Sequence, residues 1–140
     1  MVEYPNGSTP LVRTWFEDEE AWQRLLAEAV TRAQEERDEY ANIAIVDDSD
    51  AAGLSLSDLA ALHPVPTGLS LVIVADRRAM TEAGHPLLVL LADGASPPAQ
   101  MRAAADQIAG LEINVALLAN LDWEDFATHV GPDGVFRGFR

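Results

Sequence analysis

Three apolar runs in this chain of 140 residues end in aspartate: Asn42-Ile-Ala-Ile-Val-Asp-Asp48, Leu69-Ser-Leu-Val-Ile-Val-Ala-Asp76 and Leu87-Leu-Val-Leu-Leu-Ala-Asp93. Carboxylates are hard oxygen ligands, and several brought to one place hold Mg2+ or Ca2+, which can then orient a phosphate. Asp47, Asp48, Asp76 and Asp93 are the candidate metal ligands, with Asp50 beside them. On this reading the cofactor is Mg2+ and the activity is a divalent-metal-dependent phosphotransfer or hydrolysis. Its sharpest form, a receiver-like phosphoacceptor pocket, needs a lysine to balance the phosphoryl group, and all nine basic residues here are arginine. Asp48-Ser-Asp50 starts like a calcium loop, but neither the glycine nor the closing glutamate falls in place. Aspartates after strands also bond backbone amides in turns and cap the next helix. With no metal motif of fixed spacing, that ordinary role takes precedence.

Other chemistries find less to work with. No cysteine is present, which removes disulfides and thiolate nucleophiles. His63, His85 and His129 lack paired helical spacing for zinc, and two of them precede or adjoin loop-forming residues, which suits structural or solvated roles. No serine sits in a nucleophile elbow, and no glycine-rich turn follows a strand in a phosphate-cradling pattern.

The remaining resource is charge. Asp and Glu number 23 against 9 basic residues, for a formal net charge of -14. A field of that sign repels nucleic acid and anionic membranes and draws basic proteins. Asp47, Asp48, Asp50, Glu124 and Asp125 are the candidate partner-binding residues, each able to pair with an arginine or lysine. The preferred expectation is a non-enzymatic acidic cytoplasmic binding protein, most concretely an immunity-type inhibitor of a basic partner. Solubility, a GC-rich genome or a salty cytoplasm explain an acidic, lysine-free composition as well. The first ten residues have neither the basic start nor the apolar core of a signal peptide and read as a flexible leader, and no apolar run approaches bilayer length.

The elements that position these residues follow from periodicity. Leu11 to Thr14 reads as a short strand. A helix then follows, with Thr14 and Glu17 spaced for a capping box and Trp22, Leu25, Leu26, Ala29, Val30 and Ala33 on one face. Strand 42–47 is followed by a short helix beginning near Ser55, with Asp58 spaced for its cap and Pro64 and Pro66 ending it. Strand 69–75, apolar without alternation, is the expected central strand. One helical turn fits 77–82, which leaves strand 87–92 open to either direction. Ser96-Pro97-Pro98 points to a helix over 97–109, stopped by Gly110. Residues 111–119 suit a strand or a continued helix, with the strand preferred for its partial alternation. Asp122 caps a last helix, in which Trp123 and Phe126 belong to the core, and Asp133-Gly134 forms a turn into the final segment. The sum is one α/β domain over 1–140, with a mostly parallel sheet of four or five strands and packed helices.

The end of the chain reads Asn120-Leu-Asp-Trp-Glu-Asp-Phe126 and Asp133-Gly-Val-Phe-Arg-Gly-Phe139. It resembles a family of small acidic uncharacterised proteins, mainly actinobacterial, whose ending has the type Asn-Met-Asp-Phe/Trp-Glu-Glu-Phe followed by Asp-Gly-Val-Phe-Arg-Gly-Phe. Val12-Arg-Thr-Trp-Phe16 and Val46-Asp-Asp48 with Gly53-Leu54 look similar too. Leu121 departs from the family's methionine, and residues 100–114 match least. The family is a domain of unknown function, so the resemblance implies a single domain and no catalytic residues.

Overall fold

A computed structural model describes residues 2–62, 70–117 and 121–139. His63, Pro64, Pro66 and Asn120 lie outside the described residues. Six strands form one sheet: β1 (Thr9–Arg13), β2 (Ile43–Val46), β3 (Leu71–Ala75), β4 (Leu87–Leu91), β5 (Gln100–Ala103) and β6 (Val135–Phe136), in the order β2-β1-β3-β4-β5-β6. β1 runs parallel to β2 and β3, β4 is antiparallel to both its neighbours, and β6 is parallel to β5. The sheet is therefore mixed and six-stranded, not mostly parallel with four or five strands. The reason lies in the connection from β3 to β4. It holds only the single turn of α4 (Arg77–Thr81), and a parallel return needs a longer crossover.

The first crossover is the helix expected from its apolar face, though its start is Asp18, whose carboxylate accepts from the Ala21 amide, and not Thr14. It runs as α1 (Glu19–Leu26), a π-helical turn (Ala27–Thr31) and α2 (Arg32–Arg37). Trp22, Leu25 and Ala29 are buried with Leu11, Ile73 and Val89 of the sheet, and Ala33 is buried further along the helix. Each fully buried large side chain of this kind contributes about 1.5–3 kcal/mol. The second crossover carries α3 (Leu56–Ala61), begun by the Ser55–Asp58 capping box, and packs Leu59 and Ala60 against Val12, Val72 and Val74 on the opposite face. Alternate residues of β1 and β3 thus serve two cores, which is why their sequence shows no alternation. The start of the chain is part of this second core: Val2 is buried, and the Tyr4 hydroxyl donates to the Leu59 carbonyl at 2.8 Å. The first residues thus add contacts to this core. Burial pushes the Tyr4 phenol up from its ordinary pKa.

Two further expectations are corrected. Residues 100–103 form β5 and not the first turns of a helix. Met101 and Ala103 point inward, and β4 offers an open edge whose ladder outweighs the Ser96-Pro97 signal. The helix starts later, as α5 (Ala105–Glu112), and passes Gly110 into a π-helical turn (Ile113–Leu117), so this stretch is helical where a strand was preferred. Ile108, Leu111, Glu112 and Val115 are buried at helical spacing. Gly110 does not stop the helix, which continues through it with a Glu39 carboxylate oxygen 3.3 Å from where its Cβ would sit.

The last helix, α6 (Trp123–Ala127), has the Asp122–Asp125 capping box at its start. Trp123 and Phe126 are buried, as expected. The rings of Phe126, Phe136 and Phe139 meet pairwise at 5.1 Å, which closes the end of the chain over β6. No helix among the described residues is long and apolar enough to cross a membrane.

Candidate functional site

Strand direction decides where the aspartates go. β1, β2, β3, β5 and β6 finish at one edge of the sheet, and β4 finishes at the other. Asp47 and Asp76 share the carboxyl edge, but Asp93 lies at the opposite edge, because β4 is antiparallel. The three strand ends therefore do not converge as a parallel sheet would have required. Each carboxylate also has a local task. Asp48 accepts from the Asp50 amide, Asp93 from the Ala95 amide and Asp76 from the Ala79 amide at the start of α4. Asp76 further takes both Nη groups of Arg102, at 3.0 and 2.6 Å. Among the described residues no group of three or more histidines and carboxylates is arranged to hold a metal ion.

What the carboxyl edge does assemble is an acidic surface around one buried cation. β1 lies between β2 and β3 and ends at Arg13, which is 4% exposed. Its guanidinium is 2.9 Å from Glu19 and 3.5 Å from Asp47, its Nε donates to the Trp15 carbonyl, and its carbon lies 4.5 Å from the Phe16 ring centroid. Glu19 belongs to the acidic run Glu17 to Glu20 after β1, and Asp47 to the run Asp47 to Asp50 after β2. The side chains of Glu19 and Asp47 are 65% and 45% exposed. Both acidic runs therefore flank the same strand end, with their carboxylates toward solvent. Hydrogen bonds from Gln23 and then Arg13 hold Glu19 below the usual carboxylate range, so it carries its charge at any ordinary pH.

Glu124 and Asp125 are elsewhere. Both are exposed on α6, which packs through Phe126 on β6, at the far side of the sheet from β2. Five strand spacings separate the two borders, about 24 Å. Asp125 also accepts from the Asp122 amide at 2.8 Å. The sequence-predicted acids thus form two surfaces and not one. Arg13 itself was missed, since a single arginine at a strand end carries no motif. The signal that could have found it is the aromatic sequence around it, Trp15, Phe16 and Trp22.

A second feature missed by sequence reading lies at the other end of the same edge. Arg24, Glu28, Arg32, His85, Asp106 and Arg137, with Ala27, Gly84 and Ala104, line a cleft of about 590 Å³. Its residues come from α1, the π-helical turn, α2, the turn before β4, the start of α5 and the segment after β6, so no local pattern announces it.

The chain belongs to the family described as Domain of unknown function (DUF6924), whose model matches residues 8–139. No curated relative matches the chain. The match spans β1 to the Phe126–Phe136–Phe139 cluster, so the family corresponds to the whole sheet and both of its helical layers.

Proposed function

We propose that this protein is a non-enzymatic acidic binding module that recognises a basic protein through the surface around Arg13. The observation that carries the reading is the convergence of Glu19 and Asp47, from separate acidic runs, on one buried guanidinium. Arg13 lies beneath the surface, neutralised by Glu19 and Asp47 above it, while Asp48, Asp50, Glu17 and Glu20 add negative charge around it. An exposed acidic surface on a chain of net charge -14 speeds encounter with a basic partner and fixes its register. Its most concrete form is an immunity-type inhibitor that covers the anion-binding site of a basic toxin. A bacterial, mainly actinobacterial, cytoplasmic setting, with the ending Asn120 to Phe126 and Asp133 to Phe139 as a family signature, belongs to the same proposal. Glu124 and Asp125 join the interface only for a partner that spans the sheet.

Affinity capture from lysate of the source organism tests this reading, with the full chain as bait at low salt. The expected result is a basic protein retained by the wild type, released by about 0.5 M salt as screening requires. Retention should be lost in Asp47→Lys/Asp48→Lys/Asp50→Lys. Capture that survives this triple reversal, or no basic protein among those captured, overturns the proposal.

A further inference from the structure

One cleft gathers Arg24, Arg32 and Arg137, three of the nine basic residues of a strongly acidic chain, together with His85, and the acidic-module reading does not use it. Its volume of about 590 Å³ lies within the usual range for small-molecule sites. Two of its arginines are held in place by acids. Arg32 gives Nε to Glu36 at 3.0 Å and Nη1 to Glu28 at 2.7 Å, and Arg137 gives Nη1 and Nη2 to Asp133 at 3.1 and 2.7 Å. These bonds orient both forks and leave Nη2 of Arg32 and Nε of Arg137 as donors. The Arg24 side chain has no hydrogen bond or ion pair among the described residues, although it is one of few cations in a field of carboxylates. The acids Glu28 and Asp106 also line the cleft, so a ligand must draw its donors chiefly from Arg24 and from the unused nitrogens of its neighbours.

The backbone adds to this. His85 adopts a left-handed φ of 48° after Gly84 at φ 82°, a conformation that a non-glycine side chain rarely takes and that often marks a functional position. Its Nδ1 lies 2.9 Å from the Ala79 carbonyl. A carbonyl can only accept, so Nδ1 carries the proton and Nε2 is left as an acceptor, able to take a hydrogen bond from a protonated phosphoryl oxygen. The Gly84 carbonyl accepts from the Ala105 amide, which anchors this turn beside the start of α5, where Ala104 supplies no side-chain cap. Three arginines and the left-handed Gly84–His85 turn thus border one space.

We infer that this cleft binds a small phosphorylated molecule, with Arg24 as its principal ligand and Arg32, Arg137 and His85 completing the site. A phosphoryl group is favoured over a carboxylate by geometry. Donors come from three arginines on separate segments, Arg24, Arg32 and Arg137, which suits three oxygens arranged in a tetrahedron, whereas a planar carboxylate is satisfied by a single fork. The inference stands apart from the basic-partner reading, since it concerns another surface and a ligand of opposite charge.

Thermal-shift and calorimetric titrations of the full chain at low salt test it, with inorganic pyrophosphate and glycerol phosphate as probes and malonate as the carboxylate comparison. The expected result is saturable stabilisation by a phosphorylated probe, stronger than that by malonate. Arg24→Ala should weaken the affinity about tenfold or more, as loss of a charge-assisted contact does. Arg77→Ala should leave it unchanged, because Arg77 is exposed on α4 and does not line the cleft. Both variants keep the buried core, and unaltered melting without ligand checks that they are folded. No saturable response to either phosphorylated probe, an equal or stronger response to malonate, or undiminished binding by Arg24→Ala overturns the assignment.

Discussion

The carboxyl edge of the sheet presents carboxylates where β1 and β2 end and a cleft bordered by three arginines where β5 and β6 end, and the two regions use the same residue types in different arrangements. At the first, the cation is buried and its carboxylate partners are exposed: Arg13 lies beneath Glu19 and Asp47. At the second, Arg32 and Arg137 are exposed and paired with surface acids, and Arg24 stands without a partner among the described residues. At the first surface the fold buries the cation and presents its carboxylates, whereas at the second both members of each pair reach solvent. Composition has little say in this, because both regions belong to one chain of net charge -14. The energetics differ as well. A buried guanidinium with hydrogen bonds and ring contacts contributes to folding, whereas exposed pairs contribute little and leave their charges available for ligands.

The strongest way to break this contrast is to remove the buried cation. Arg13→Ala should destabilise the fold by about 3 kcal/mol, through the lost packing, the lost Trp15 and Glu19 hydrogen bonds and the lost stacking on Phe16. Urea unfolding measures it, and a cost near zero would mean that Arg13 is another surface charge. Arg13→Lys should recover only part of the loss, since an ammonium has no planar fork to bond and stack at once.

A third arrangement sharpens the comparison at the amino edge of the sheet, where a carboxylate is buried with no cation beside it among the described residues. Glu112 is 1% exposed, and its two oxygens accept from the Thr9 hydroxyl at 3.1 Å and the Asn42 amide at 2.6 Å. It ties α5 to the starts of β1 and β2. Glu112→Ala should cost about 2 kcal/mol, because both donors lose their partner. Glu112→Gln should cost less than about 1 kcal/mol, because the Thr9 hydroxyl can turn to accept from the new amide. Equal losses for the two variants would show that volume, and not hydrogen bonding, holds this corner.

The smallest effect is expected at the exposed Asp133–Arg137 pair. The Arg137 guanidinium holds the Asp133 carboxyl down to about 2, from an ordinary value of 3.8. The folded pKa is lower than the unfolded one. The pair's contribution is therefore complete above about pH 4 and is lost as pH falls toward 2. Stability measured across that window should decline slightly more steeply for the wild type than for Asp133→Asn, and identical slopes would remove the pair from the folding balance.

Legibility in the sequence followed the range of the interaction. The apolar face of α1 and α2, the Ser55–Asp58 cap, the strand runs at 42–47 and 69–75 and the core roles of Trp123 and Phe126 were readable, because each depends on spacing within one segment. The strand over 100–103 and the helix over 105–117 were not. Their local signals, Ser96-Pro97 and the alternation after Gly110, lost to pairing with β4 and to packing beside Glu39. For the site, the individual acids were visible, but not that Arg13 gathers Asp47 and Glu19, nor that Glu124 and Asp125 lie across the sheet. The arginine-lined cleft left no trace, since its residues come from segments far apart in the chain.

The sequence by itself determined the class of the fold, one α/β domain, and the acidic field around it, because hydrophobic periodicity and net charge are sums over residues that need no coordinates. Only the tertiary structure decided the direction of β4, and with it the separation of Asp93 from Asp47 and Asp76. It also decided which charges are buried and which are presented. Strand direction depends on the length of a connection relative to the sheet it must cross, and burial depends on which distant segments meet. Neither quantity is carried by any single stretch of residues.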